Sequence, residues 1–172
     1  MKTALFLCTG NSARSILAEA ILKADGAGRF GAFSAGSQPT GKVNPWALRT
    51  LEKRGYPSDG LHSKSWSEFA SGPTFDLIFT VCDSAAAETC PVWPGQPISA
   101  HWGIPDPAAV EGSDADKEAA FGLAFERLKR RIDRMLALPL ESLSPGALRT
   151  ELQRIGKEAE EATFNLVEHG PP

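Results

Sequence analysis

The chain has 172 residues, 42% of them apolar and 23% charged, with 21 acidic against 18 basic side chains and a formal net charge of −3. Such a chain is one domain with enough material for a full core. Its acidic balance, with a pI near 5.6, removes the usual reason to expect a nucleic-acid partner, and no apolar run approaches the ~20 residues that a membrane span requires.

Residues 3–7 are continuously apolar, as in a central parallel strand covered on both faces. Only Lys2 precedes this run, which is too short for a secretory signal, so a cytoplasmic protein is expected. The strand leads into Cys8, a polar loop of Thr9, Gly10, Asn11, Ser12 and Ala13, then Arg14 and Ser15. A helix follows, with Ile16, Leu17, Ala20, Ile21 and Leu22 at helical spacing, Ser12 or Ser15 as its cap, and Gly26 at its end. A loop of this length at a helix start can wrap backbone N–H groups around a tetrahedral oxyanion, and Arg14 adds a planar fork of donors. The same donors are expected to lower the pKa of Cys8 and so raise its thiolate fraction. The unit reads as an anion cradle with a nucleophile at its floor.

A second strand over residues 30–35 ends at Gly36, and Asn44-Pro45 opens a helix that stops at Gly55. A short helix is expected near Glu68 and Phe69, then Gly72-Pro73, then a strand over residues 75–82 that ends on Cys82. Carboxyl ends of strands line the ligand crevice of an open parallel sheet, so Cys8 and Cys82 should point into one region. Residues 83–89 can form two helical turns that bring Cys90 to the same rim. Residues 98–102 read as the fourth strand, and residues 103–107 leave it as a constrained loop. A long amphipathic helix over 117–136 presents Phe121, Phe125, Leu128, Ile132 and Met135 on one face. After Pro139, Ser144-Pro145 starts a last helix whose apolar positions Leu148, Leu152, Ile155, Ala159, Ala162 and Leu166 form a narrow seam. That seam suits either docking on its own domain or a homodimer arm.

Three cysteines are too few and too oddly numbered for a static disulfide framework, and with His62, His101 and His169 they lack zinc-site spacing, so no metal is expected. Transient redox chemistry remains. The departing oxygen in thiolate chemistry on an oxyanion needs a proton, and Asp106, before Pro107 on the rigid loop, is the best-placed donor.

CTGNSARS at residues 8–15 resembles the active-site signature of the low-molecular-weight tyrosine phosphatase superfamily, and more closely that of the arsenate reductases built on its fold, which often read CTGNSCRS. HWGIPDPA at residues 101–108 resembles the HWG-x-x-DPA segment of those reductases; it lacks the tyrosine that typically follows the proline in the phosphatases. The resemblance implies a flavodoxin-like α/β fold with a four-stranded parallel sheet in the order 2-1-3-4, over residues 1–139, with residues 140–172 as a helical extension. It implies that Cys8 attacks arsenate, that Cys82 attacks the adduct and releases arsenite, and that Cys90 takes over the disulfide. That disulfide would be presented to an external thiol reductant, thioredoxin or glutathione with glutaredoxin, with no bound cofactor. Asp106 would be the general acid. The interval from Cys82 to Cys90 is one residue longer than in thioredoxin-coupled relatives. Asn11, Glu19 and Ser34 match residues that help hold potassium in some relatives, while Lys64 stands where those have an aspartate, so an ammonium could replace the cation. The rival readings are a tyrosine or small-molecule phosphatase, and a thiol redox sensor without turnover.

Overall fold

The computed structural model describes residues 1–83 and 93–168, with side chains through residue 158. Strands β1 (Lys2–Cys8), β2 (Phe30–Gly36), β3 (Leu77–Thr80) and β4 (Ile98–His101) form one sheet in the order β2-β1-β3-β4, with every pairing parallel. This is the order expected from the sequence. β1 pairs with β2 from Lys2↔Phe30 to Cys8↔Gly36 and with β3 from Ala4↔Leu77 to Leu7↔Thr80. It is buried on both faces, which is why it is apolar without alternation. On one face Ala4 and Phe6 join the main core, where Phe6 stacks on Phe79 and Phe79 on Trp102. On the other, Leu5 and Leu7 join Ala35, Phe75 and Ile78, with half-buried Phe33, Trp66, Phe69 and Trp93 around them.

Four helices complete the described fold: α1 (Arg14–Asp25), α2 (Pro45–Lys53), α3 (Asp114–Leu136) and α4 (Pro145–Glu168). α1 packs on β1, β2 and α3, α2 packs on α3, and α4 packs on β4 and α3. Asn44 accepts from the Trp46 N–H at the start of α2, with Pro45 in the first turn as expected. α3 starts three residues before the expected 117, because Ser113 and Asp116 form a reciprocal capping box. The expected short helix near Phe69 is a single 3-10 turn, Trp66–Phe69. The ladder of β3 is shorter than the expected 75–82, and hydrogen bonds from Asp76 N–H to Thr3 O and from Val81 N–H to Leu7 O carry the chain in and out of it. From residue 84 the expected helix of 83–89, and Cys90 with it, lie outside the described residues.

One expectation is corrected and one alternative is decided in part. Neither Ser12 nor Ser15 caps α1: the cap position is Ala13, with no side-chain hydrogen bond, because the Ser15 hydroxyl accepts from Asn11 instead. Of the two readings of the α4 seam, docking on its own domain holds at Leu148, Leu152 and Ile155, all buried. The Trp102 indole N–H donates to Leu152 O at 2.8 Å. Gly156 permits the close approach, since a Cβ there would lie 2.6 Å from His101 O. Ala159, Ala162 and Leu166 lie beyond the described side chains. Among the described residues no helix is long and apolar enough to cross a membrane. Leu152→Ala is expected to destabilise the protein by about 2–5 kcal/mol, read from the urea unfolding midpoint; an unchanged midpoint would mean that α4 does not dock.

Candidate active site

Cys8 ends β1, 6% exposed, and Arg14 opens α1 six residues later. The loop between them is held by its carbonyls. Thr9 O accepts from Gln38 N–H at 3.0 Å, Gly10 O from Thr40 N–H at 3.0 Å and from the Ser63 hydroxyl at 3.2 Å, and Ser12 O from Asn44 N–H at 2.9 Å. The C=O and N–H of a trans peptide point in opposite directions, so these ties turn the N–H groups of Gly10, Asn11 and Ala13 to the other side of the loop. With no side chain capping α1, its N-terminal donors add to that side. An oxyanion cradle needs this arrangement, and it is built from outside by residues 38–44 and 63.

The loop turns on Asn11, which is fully buried and has a φ of 45°, a left-handed conformation that asparagine tolerates. Its Nδ2 donates to Ser15 Oγ at 2.8 Å and Ser34 Oγ at 2.9 Å, and its Oδ1 accepts from Lys64 N–H at 2.9 Å. Ser34 Oγ donates to Glu19 Oε1 at 2.5 Å, and Lys64 Nζ lies 3.5 Å from the same carboxylate oxygen, 3.4 Å from Ser34 Oγ and 2.9 Å from His62 O. Asn11, Glu19, Ser34 and Lys64 thus form one buried cluster behind the loop, with the ammonium inside it. Ser15 belongs to this brace through its hydroxyl. Gly36 was not flagged by the sequence beyond ending a strand, yet the loop rests against it: a Cβ there would lie 2.4 Å from Thr9 O and 3.0 Å from Asn11 N.

Cys82, 2% exposed, emerges from the end of β3, close enough to Cys8 for its thiol to act on the Cys8 pKa. Thr9 Oγ1 lies 3.7 Å from Cys82 Sγ. The two thiols therefore converge as their strand ends required. The pKa of Cys8 departs from expectation: it is raised, first by the hydrogen bond with Cys82 and next by burial, while the Arg14 charge and a Thr9 backbone hydrogen bond pull it down without prevailing. One thiol of a close pair loses its proton at the expense of the other.

Arg14 reaches across to the loop after β4. Its NH1 donates to Ile104 O at 3.2 Å, and its NH2 is 3.7 Å from Asp106 Oδ2. Its Nε is buried and, among the described residues, has no hydrogen-bond partner, which leaves a donor suited to an anion. Asp106 serves two purposes: Oδ1 caps the 3-10 turn Pro107–Ala109 by accepting from Ala108 N–H at 2.9 Å, and the side chain stays 41% exposed at the mouth of the site. Among the described residues no group of three His, Cys, Asp or Glu side chains is placed to hold a metal ion. A cradle, a nucleophile, an adjacent thiol and a carboxyl at the mouth can form a thioester-like adduct with a tetrahedral oxyanion and then exchange it against sulfur.

Residues 3–145 match the family of low molecular weight phosphotyrosine protein phosphatases. An arsenate reductase of Bacillus licheniformis is 35% identical over 136 residues, which cover 77% of this chain and 94% of the relative. A solved structure described as an arsenate reductase in the phosphate binding state is 28% identical with a TM-score of 0.63, covering 80% of this chain and 98% of its own. The low molecular weight protein tyrosine phosphatase of T. tengcongensis, 22% identical with a TM-score of 0.65 over 79% of this chain and 98% of its own, shares the fold.

Gly36→Ala is expected to weaken inorganic phosphate binding roughly tenfold or more, because the Thr9 peptide must move; calorimetric titration measures it, and unchanged affinity would separate Gly36 from the cradle. Cys82→Ala removes the largest influence that raises the Cys8 pKa, so the pH midpoint of Cys8 alkylation by iodoacetamide should move down. A midpoint that stays in place would make burial the controlling cause.

Proposed function

The chain belongs to the low molecular weight phosphotyrosine protein phosphatase family, and from that premise we propose that it reduces arsenate to arsenite through an adduct on Cys8. The Cys8 thiolate attacks arsenic, and the displaced oxygen leaves as water with a proton from Asp106. Backbone N–H groups of residues 9–15 and the Arg14 guanidinium hold the remaining oxygens. The Cys82 thiolate then attacks Cys8 sulfur. A Cys8–Cys82 disulfide forms, the S–As bond breaks, and its electron pair leaves with arsenic, taking it from the +5 to the +3 state. Cys90 attacks Cys82 sulfur, returns Cys8 as thiolate, and leaves a Cys82–Cys90 disulfide for an external dithiol to reduce.

The observation that carries this reading is the placement of Cys82, buried beside the Thr9 side chain and in one cluster with Cys8. Hydrolysis of a phosphate ester needs no second thiol in its bond changes, whereas removal of arsenite requires one. Arsenate and phosphate are alike in shape and charge, so weak hydrolysis of aryl phosphates by the same cradle is part of the proposal. Lys64, paired with Glu19, takes the place of a cation behind the loop, so turnover should not depend on potassium. The enzyme is taken to work in the cytoplasm with thioredoxin or with glutathione and glutaredoxin.

Arsenite formation by the wild type and by Cys8→Ser, Cys82→Ser and Cys90→Ser, measured with each reducing system in turn, tests the relay. Turnover with thioredoxin that requires all three thiols is the expected result. Turnover with glutathione that survives Cys90→Ser would reassign the donor, and no arsenite with brisk hydrolysis of an aryl phosphate would make the protein a phosphatase. Replacing potassium by sodium at constant ionic strength is expected to leave the rate unchanged; a clear gain with potassium would overturn the role given to Lys64.

A further inference from the structure

We infer that Arg131, outside the reacting centre, is a positioning residue for the general acid: it fixes the loop that carries Asp106. The inference rests on the reading that Asp106 donates the proton. Arg131 lies on the apolar face of α3, three residues after Leu128 and four before Met135, and is 2% exposed. A guanidinium in that position has lost its water, a cost that core packing alone does not require, since an apolar side chain of similar length would fill the same space. Its NH2 donates to Gly103 O at 3.3 Å. Gly103 is three residues before Asp106, at the point where the chain leaves β4 for the site.

The rest of that loop shows why this carbonyl matters. Trp102 N–H donates to Thr80 O at 2.8 Å and Ile104 N–H to Val81 O at 3.2 Å, so the loop is laced to the end of β3 on either side of Gly103. The Ile104 carbonyl accepts from Arg14 NH1 at 3.2 Å. Gly103 is also packed against the pair formed by His101 Nε2 and Asp83 Oδ1, 2.9 Å apart: a Cβ on Gly103 would lie 2.5 Å from the imidazole Nε2 and 2.9 Å from the carboxylate oxygen. Gly103 is thus held at its carbonyl by the Arg131 guanidinium and crowded at its Cα by the His101–Asp83 pair. α3 also packs directly on the 3-10 turn that Asp106 caps. Loss of the Arg131 bond leaves the Gly103–Ile104 peptide held by the Ile104 N–H alone, and a small tilt there displaces the Asp106 carboxyl from the departing oxygen. The cradle peptides of residues 9–12 are anchored separately, by residues 38–44 and 63, and Arg14 is the cradle side chain tied to the acid loop, through Ile104 O.

The consequence is a defect confined to proton donation. Phenyl phosphate, whose leaving group is strongly basic, needs the acid much more than p-nitrophenyl phosphate, whose leaving group departs almost unaided. The experiment compares kcat for the two esters in the wild type, Arg131→Met, Arg131→Lys and Asp106→Asn, together with the dissociation constant of inorganic phosphate for each. Aryl phosphates are used so that a failure of arsenate reduction would leave this test intact. Asp106→Asn should lower the ratio of phenyl to p-nitrophenyl turnover. Arg131→Met should lower it in the same direction by roughly tenfold, with phosphate affinity within about twofold of wild type, and Arg131→Lys should restore part of the ratio. A lowered unfolding midpoint in Arg131→Met with an unchanged ratio would make Arg131 purely structural and overturn the inference. So would a loss of phosphate affinity that accounts for the whole effect. An unchanged ratio in Asp106→Asn would remove Asp106 as the acid and take this inference with it.

Discussion

The site depends on one buried polar cluster behind the Cys8 loop. Asn11 holds a left-handed turn, and its amide spans three elements by bonding Ser15 on α1, Ser34 on β2 and the backbone of Lys64. Lys64 and Glu19 then neutralise each other at 3.5 Å, both side chains 8% exposed. A buried ion pair of this kind adds little net stability over an apolar replacement, but removal of one partner leaves an uncompensated charge at a cost of about 3–5 kcal/mol. Its value is in fixing a single geometry. The turn at Asn11 sets the directions of the peptides on either side of it, and those peptides are the cradle.

A second constraint concerns proton inventory. The cradle is electropositive, through the donors at the uncapped start of α1 and through Arg14, and by itself would stabilise a thiolate at Cys8. Cys82 lies close enough to reverse this, since a thiol pair that shares a hydrogen bond resists carrying two charges. The same proximity that raises the Cys8 pKa is what sulfur-on-sulfur attack requires. Nucleophile activation and adduct resolution therefore compete for one short distance.

Support for the two halves of the site comes from different directions. The cradle is braced by β2, the segment after it and residues 63–64, whereas the loop bearing Asp106 is braced by β3 and α3. Arg14 is the described side chain that touches both, through Ile104 O and Asp106. α4 contributes from outside by covering Trp102, the residue just before the acid loop, so a segment with no chemistry of its own still reaches the site through packing.

Much of this was legible along the chain. The strands follow from apolar runs, their order from the family resemblance, and the convergence of Cys8 and Cys82 from the crevice rule for parallel sheets. The cradle was legible because its nucleophile, loop and arginine are contiguous in residues 8–14, where local backbone geometry dictates function. The Ser113–Asp116 capping box was present in the sequence and sets the true start of α3, and Arg131 was visible at a core-facing helical position; neither pattern names what it will bond. The direction of the Cys8 pKa, the contact of Gly36 with Thr9 O, the grip of Arg131 on Gly103 and the docking of α4 on its own domain were decided only by tertiary structure. Each joins residues at least 27 positions apart, from the 27 between Thr9 and Gly36 and the 28 between Gly103 and Arg131 upward. Periodicity and motif spacing describe one segment at a time, whereas burial, hydrogen bonding and charge balance depend on which segments the fold brings together.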